Sequence, residues 1–387
     1  MARTQLPIGT VLHFPDGHAF RIIDLLGAGG SALIYEVQSL DSEQILALKE
    51  LYPADGFLRR NGEIVPAVDT AARRAALLGR KENLWNVEAR FSQKAGYHNF
   101  QVVQMIGAPY TWADLILPNG TEWRHVPNCY ALMDSQQGKG MSLRAYLEAC
   151  SAREGSVPLA MVLPLMKTIL KAYARLHDSG FLHGDCQMDN LFLAGANPET
   201  KDPGTAYLLD FGSAKELIDE SRTEAVYDEI YSTDGYRAPE LSFFNGRLQM
   251  TPACDVWSLG FLFLNLLTRR PKLWTEQGVE ELTRYLIAHP GEKVLRSRDL
   301  ERLSCDYAVF HLLNRMLKRA LADEPEDRYP NAGAMLEELL TLERCSNLDL
   351  SKGIDLPLLW EASIRFCRDH PSLFWTEHIP QLVEDLP

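Results

Sequence analysis

No two of the seven cysteines stand in CxxC spacing, and their odd number, scattered from Cys129 to Cys367, offers no metal framework. That pattern suits a reducing compartment, so a cytoplasmic protein is the expectation. The opening residues MARTQLPIGT lack the apolar core of a signal sequence. Long hydrophobic runs are missing too. The longest, Val256 to Leu267, is too short to cross a bilayer and is broken by Ser258, Gly260 and Asn265, so it predicts a buried core helix. Positive charge is scarce: 39 Lys and Arg against 52 Asp and Glu leave a formal net charge of −13. Such a balance disfavours nucleic acid or an anionic membrane as a partner. Repeats and biased tracts are absent, which argues against solenoids and disorder. What remains is an ordinary globular composition, 46% hydrophobic and 24% charged, over 387 residues. That is length enough for two domains or one large two-lobed unit.

Two halves of different character follow. Residues 8–51 read as strands, with AFRIIDLL, ALIYEV and ILALKEL separated by glycine-rich punctuation. Residues 52–80 carry Pro53, Gly56, Gly62 and Pro66 and read as an inserted loop ending in an Ala/Arg-rich segment. A helical period over Lys81 to Ala95 places Leu84, Glu88, Phe91 and Ala95 on one face. Residues 100–106 and 128–134 are strand-like, and 107–127 between them read as a second insert. Beyond Gly138 and Gly140 helices dominate. Met161 to His177 keeps apolar residues at helical spacing, and the helix-rich half continues to about Arg344. Trp360, Phe366, Phe374 and Trp375 in the last stretch, 345–387, predict a packed appendage.

Chemistry concentrates at two places. Gly27-Ala28-Gly29-Gly30-Ser31-Ala32 lies between two strands, where a glycine turn lets backbone N–H groups approach phosphate oxygens. By itself such a turn is equally an ordinary hairpin. Lys49 ends the next strand and could grip phosphates if a carboxylate held it. Glu88, on the inward face of its helix, is the candidate. The second cluster is more specific: His183-Gly184-Asp185-Cys186-Gln187-Met188-Asp189-Asn190, then Asp210-Phe211-Gly212. Phosphoryl transfer needs an aligned hydroxyl and neutralised phosphate charge more than covalent help. Asp185 can orient the attacking hydroxyl and accept its proton. Asn190 and Asp210 supply the hard oxygens that magnesium prefers. His177 and His183 read as core histidines, Met105, Met133 and Met166 as packing, and Cys186 as a packed thiol before a reactive one.

Taken together these motifs resemble the eukaryotic-type (Hanks-type) serine/threonine protein kinases over residues 18–344. The resemblance implies an α+β, two-lobed fold: a β-rich N-lobe (1–134), a hinge (135–140), a larger α-helical C-lobe (141–344) and the extension 345–387. ATP with Mg2+ is implied, Mn2+ being the alternative ion. It assigns Gly27, Gly29 and Gly30 to the phosphate-covering loop, Lys49 to the strand lysine and Glu88 to its partner. Asp185 takes the catalytic aspartate's place, Asn190 and Asp210 the metal's. Met133 guards the back of the nucleotide pocket, and Asp134 and Gln136 belong to the hinge that bonds adenine. Ala238-Pro239-Glu240, Asp255 opening a central helix, and Arg328 as the partner of Glu240 complete the match.

Departures qualify it. Ala32 replaces the loop's third glycine. Gly184 stands where many kinases place an arginine that receives an activation-loop phosphate, so a phosphate switch loses its anchor. Gln187 replaces a lysine near the catalytic aspartate and brings no charge. ELYP followed by an Arg-Arg/Asn-Gly turn resembles inserts of bacterial relatives. His-Gly-Asp is shared with aminoglycoside and choline phosphotransferases, the main rival reading. Those lack Ala238-Pro239-Glu240, the Asp255 helix start and the late arginine. A pseudokinase would have lost one of Lys49, Asp185, Asn190 or Asp210. Protein is therefore the expected substrate, with Thr233 favouring serine and threonine, and 345–387 as a capping segment or a site for a regulatory partner.

Overall fold

A computed structural model describes residues 4–29, 31–54, 56–68, 70–79, 81–82, 85–86, 105–135, 139–154, 159–217, 223–226, 236–241, 247–268 and 307–346. The chain divides into units 1–342 and 343–387. Of the second, only its first four residues are described, so the extension expected at 345–387 lies almost entirely outside the described residues. The architecture is α+β.

Six antiparallel strands close a barrel in the order β1-β2-β3-β4-β8-β7. They are β1 (Val11–His13), β2 (Ala19–Ala28), β3 (Ala32–Ser39), β4 (Ile45–Leu51), β7 (Tyr110–Ile116) and β8 (Glu122–Asp134). Alternation decides what faces inward: Leu33, Tyr35 and Val37 from β3, and Leu46 and Leu48 from β4, join Ile22, Tyr130 and Leu132 in one apolar cluster. Burying each such side chain contributes about 1.5–3 kcal/mol.

Two sequence expectations fail in this half. Residues 52–80 are not a loop: β5 (Phe57–Arg60) and β6 (Glu63–Pro66) form a hairpin, followed by helix α1 at 71–79. Its two-residue turn, Asn61-Gly62, has φ of 49° and 85°, the positive pair that a type I′ turn demands. Phe57 and Ile64 then join the barrel cluster. Residues 107–127 do not merely separate two strands either, since β7 and the first half of β8 occupy most of them and close the barrel against β1. Register shifts at Tyr110/Trp112 and Ala113/Leu115 break the alternation that would have announced them.

The second core is helical. It is built by α2 (Leu143–Glu154), α3 (Leu159–Asp178), α4 (Pro252–Thr268), α5 (Tyr307–Ala320) and α6 (Ala332–Ser346). Helix α4, apolar on nearly every side, is buried from Ala253 to Leu267, as its composition predicts. Among the described residues no helix is long and apolar enough to cross a membrane. Between these helices, β10 (Phe181–Leu182) pairs with β13 (Lys215–Glu216), and β11 (Leu191–Ala194) pairs with β12 (Thr205–Leu208) on one side and β9 (Gly140–Ser142) on the other. The two sheets bring the segments 183–190 and 209–214 side by side.

Candidate active site

Lys49 leaves β4 on the face opposite Leu48 and reaches across to Asp210, Nζ to Oδ1 at 3.3 Å. From the glycine-rich loop, the Ser31 hydroxyl donates to Asp210 Oδ2 at 3.1 Å. The residue at 210 therefore ties together three segments far apart in sequence. Its backbone sits at φ +54°, a left-handed conformation uncommon for aspartate, which the N–H of Gly212 supports by donating to Oδ1 at 3.3 Å. Burial works against the ionised carboxylate. The Lys49 charge and the hydrogen bonds from Gly212, Lys49 and Ser31 outweigh it and hold Asp210 below the usual carboxylate range.

A short 3-10 turn, Met188–Asn190, follows the loop that carries Asp185. Asn190 Nδ2 donates to the Asp185 carbonyl at 2.9 Å and to its Oδ2 at 2.8 Å. Gln187 Nε2 adds a second donor to the same Oδ2 at 3.1 Å. Asp185 is thus oriented by the two residues that sequence reading grouped with it. Because Asn190 spends its NH2 on Asp185, its amide oxygen is the end suited to a hard cation. The β11–β12 ladder sets Asn190 beside the Asp210 segment, with the N–H of Leu209 on the Asn190 carbonyl at 2.9 Å.

Beneath the loop, Asp255 organises the backbone. Its Oδ2 accepts from the N–H of His183 at 2.7 Å and from His177 Nε2 at 3.0 Å, while Oδ1 accepts from the N–H of Gly184 at 2.9 Å. His177 Nδ1 accepts from the N–H of Ala332 at 3.1 Å, which assigns its proton to Nε2. His183 is fixed likewise: Nδ1 accepts from the Asp185 N–H at 3.3 Å, and Nε2 donates to the Leu209 carbonyl at 3.0 Å. Both histidines are buried core groups, as expected. The Phe211 ring packs against the His183 ring at a tilt of 57°, centroids 5.0 Å apart.

Gly184 has φ +77°, and a Cβ there would stand 2.7 Å from the Ser213 carbonyl oxygen. No larger residue, arginine included, fits this backbone without displacement. Cys186 is 1% exposed, and burial pushes its thiol up, so it is a packing residue. Glu240 and the buried Arg328 make a two-pronged pair, Nη1–Oε1 and Nη2–Oε2 both at 2.7 Å. Arg328 also donates to the carbonyls of Ala322 and Asp323 at 2.7 and 2.8 Å.

Other candidates are less central. Gly27 and Gly29 lie at the loop, and a side chain at Gly27 would meet nothing within 4 Å. Met133 pairs with Ala47 on the neighbouring strand β4 and bridges Met105. Asp134 ends β8 with its carboxylate on Lys139 at 2.8 Å. Gly30, Glu88, Gln136 and Thr233 lie outside the described residues. Sequence reading missed the Ser31 contact and the Arg144–Asp189 pair, where both nitrogen–oxygen distances are 2.8 Å. Neither has a local signal, because the partners are 179 and 45 residues apart.

Residues 121–338, more than half of the chain, match the family model described as a protein kinase domain. The chain belongs to the protein kinase domain family. The matched stretch holds Asp185, Asn190, Asp210, Glu240 and Arg328 but begins after Lys49, whose place in the site rests on its contact with Asp210. Among curated proteins it is 26% identical over 324 residues to the serine/threonine-protein kinase Pkn1 of Myxococcus xanthus, covering 83% of this chain and 38% of that one. It is 30% identical over 189 residues to mitogen-activated protein kinase 18 of Arabidopsis thaliana, 44% of this chain and 29% of that protein. Over 135 residues it is 33% identical to cyclin-dependent kinase 11B of Rattus norvegicus, 34% and 28% respectively. The chain spans only 28 to 38% of the length of these three relatives.

Proposed function

We propose that the chain transfers the γ-phosphoryl group of ATP to serine and threonine hydroxyls of proteins. The observation that carries this is the convergence of Lys49, Asp185, Asn190 and Asp210 within one unit, with Lys49 on Asp210 and Asn190 on Asp185. Lys49 grips the nucleotide's phosphate oxygens. Asp185, aimed by Gln187 and Asn190, orients the attacking hydroxyl and takes its proton as the oxygen–phosphorus bond forms and ADP leaves. Asn190 and Asp210 would hold Mg2+, which supplies charge neutralisation at the phosphates when bound. The residues fit such an ion. An amide oxygen and a carboxylate are hard donors, and a two-oxygen donor set suits an ion that keeps waters and phosphates.

Protein as substrate is supported by the Glu240–Arg328 clamp, which braces the end of the activation segment, a part that a small-molecule phosphotransferase has no use for. Serine and threonine as acceptors are supported by the similarity to the serine/threonine-protein kinase Pkn1 and by Thr233. We read the barrel and the helical core as two lobes about a hinge at 135–140, and a cytoplasmic setting from the cysteine pattern. Incubation with Mg-ATP and a generic protein, followed by a phosphopeptide map, tests the reading. Phosphoserine and phosphothreonine are expected; label on tyrosine alone, or on a small alcohol alone, would overturn it.

A further inference from the structure

Lys49 and Glu50 are neighbours on β4, and the pleat sends them to opposite faces. Lys49 goes with Ala47 toward Asp210. Glu50 goes with Leu46 and Leu48 into the barrel, where its side chain is 0% exposed. The carboxylate is met there by Arg59 of the β5–β6 hairpin, Nη1 to Oε1 at 2.9 Å and Nη2 to Oε2 at 2.5 Å. Arg59 is itself fixed, Nε on the Thr4 carbonyl at 2.8 Å and Nη1 on the Gly62 carbonyl at 3.0 Å. The Tyr35 hydroxyl donates to Glu50 Oε2 at 3.2 Å while accepting from the N–H of Leu6 at 2.9 Å.

A buried pair of this kind is a poor source of stability, because desolvation offsets most of its attraction. Its best-attested use is to specify register. On β4 that use has a chemical consequence: a slip of one residue would carry Lys49 into the barrel and Glu50 out of it. The hairpin is braced in turn. A Cβ on Gly62 would fall 2.7 Å from the Trp123 ring and 3.0 Å from Leu115, so its turn lies hard against β7 and β8.

We propose that Glu50 and Arg59 are positioning residues for Lys49, the hairpin fixing the register of β4 and thereby the grip of Lys49 on the nucleotide's phosphates. The proposal rests on the phosphotransferase reading above. Its test replaces the pair by an apolar one, Glu50→Leu with Arg59→Met, in the full chain. Trinitrophenyl-ATP with magnesium is titrated, and melting is followed separately. The double variant is expected to melt near the parent temperature yet bind the nucleotide about tenfold or more weakly. In a Lys49→Met background the same two changes should cost no further affinity, a result that a merely structural role would not give.

Parent-like affinity in the double variant, or an equal loss in the Lys49→Met background, overturns the proposal alone. A parent that binds no nucleotide overturns the phosphotransferase reading and the proposal with it. Should the double variant fail to fold, Arg59→Lys decides, since it keeps the cation beside Glu50 but loses the fork. A KM for ATP raised severalfold with kcat much less changed is expected; a parent-like KM overturns the proposal.

Discussion

At the scale of single residues, Asp255 does most to shape the loop 183–190, whose His183 and Gly184 N–H groups donate to it. Burial opposes its charge, but the His177 hydrogen bond, both histidine neighbours and the N–H of His183 hold it below the ordinary aspartate range. The stabilisation is therefore fully present above about pH 4, the unfolded value, and is lost as pH falls through the lower folded one. Asp255→Asn should cost about 3 kcal/mol at pH 7. Urea unfolding at a series of pH values checks this: the gap between parent and variant should narrow as pH drops below 4, and a gap independent of pH would contradict it. Gly184→Arg makes a second case. With φ at +77° and the Ser213 carbonyl in the way, it should lose about 2 kcal/mol or more, read as a lowered urea midpoint. At Arg328 the fork on Glu240 is buried, so Arg328→Met leaves a carboxylate without its partner and should destabilise by about 3–5 kcal/mol in the same assay.

At the scale of elements, what the sequence announced depended on how local the signal was. The grouping of the loop 183–190 was legible because Asp185, Gln187 and Asn190 act on one another within a few residues, as their hydrogen bonds show. Helices α3 and α4 were legible from unbroken apolar spacing, and β2 to β4 from alternation between glycines. The hairpin at 57–66 hid behind Pro53, Gly56 and Pro66, although Asn61-Gly62 is a strong turn signal. The barrel's closing strands hid for a different reason. Pro127 inside β8 and the two register shifts against β7 disguise the period of two, and the barrel closes only through the long-range pairing of β7 with β1 and of β8 with β4. Glu50–Arg59 and Ser31–Asp210 could not be read in advance, because each joins residues that only the folded chain brings together. One consequence is testable on the element itself: Gly62→Val, which forces a branched side chain at φ 85° against Trp123, should lower the melting temperature by several degrees.

At the scale of the whole molecule, the loop 183–190 is held by the core beneath it, and the proposed enzyme needs no added phosphate to hold it. Asp255 fixes the loop from below, and Gly184 leaves no side chain there to receive a phosphate. Phosphatase treatment is accordingly expected to leave most activity intact, whatever the state of Ser221, Thr223, Tyr227, Tyr231 and Ser232; complete loss would contradict this. The central claim is phosphoryl transfer by Asp185 with Lys49 and Asp210, and one comparison tests it most directly. Purified parent chain, Asp185→Asn and Asp210→Ala are incubated with labelled ATP, magnesium and a generic protein. The account predicts transfer by the parent, none by either variant, and intact folding of both. Near-parental transfer by either variant, or none by a folded parent that binds Mg-ATP, would contradict it.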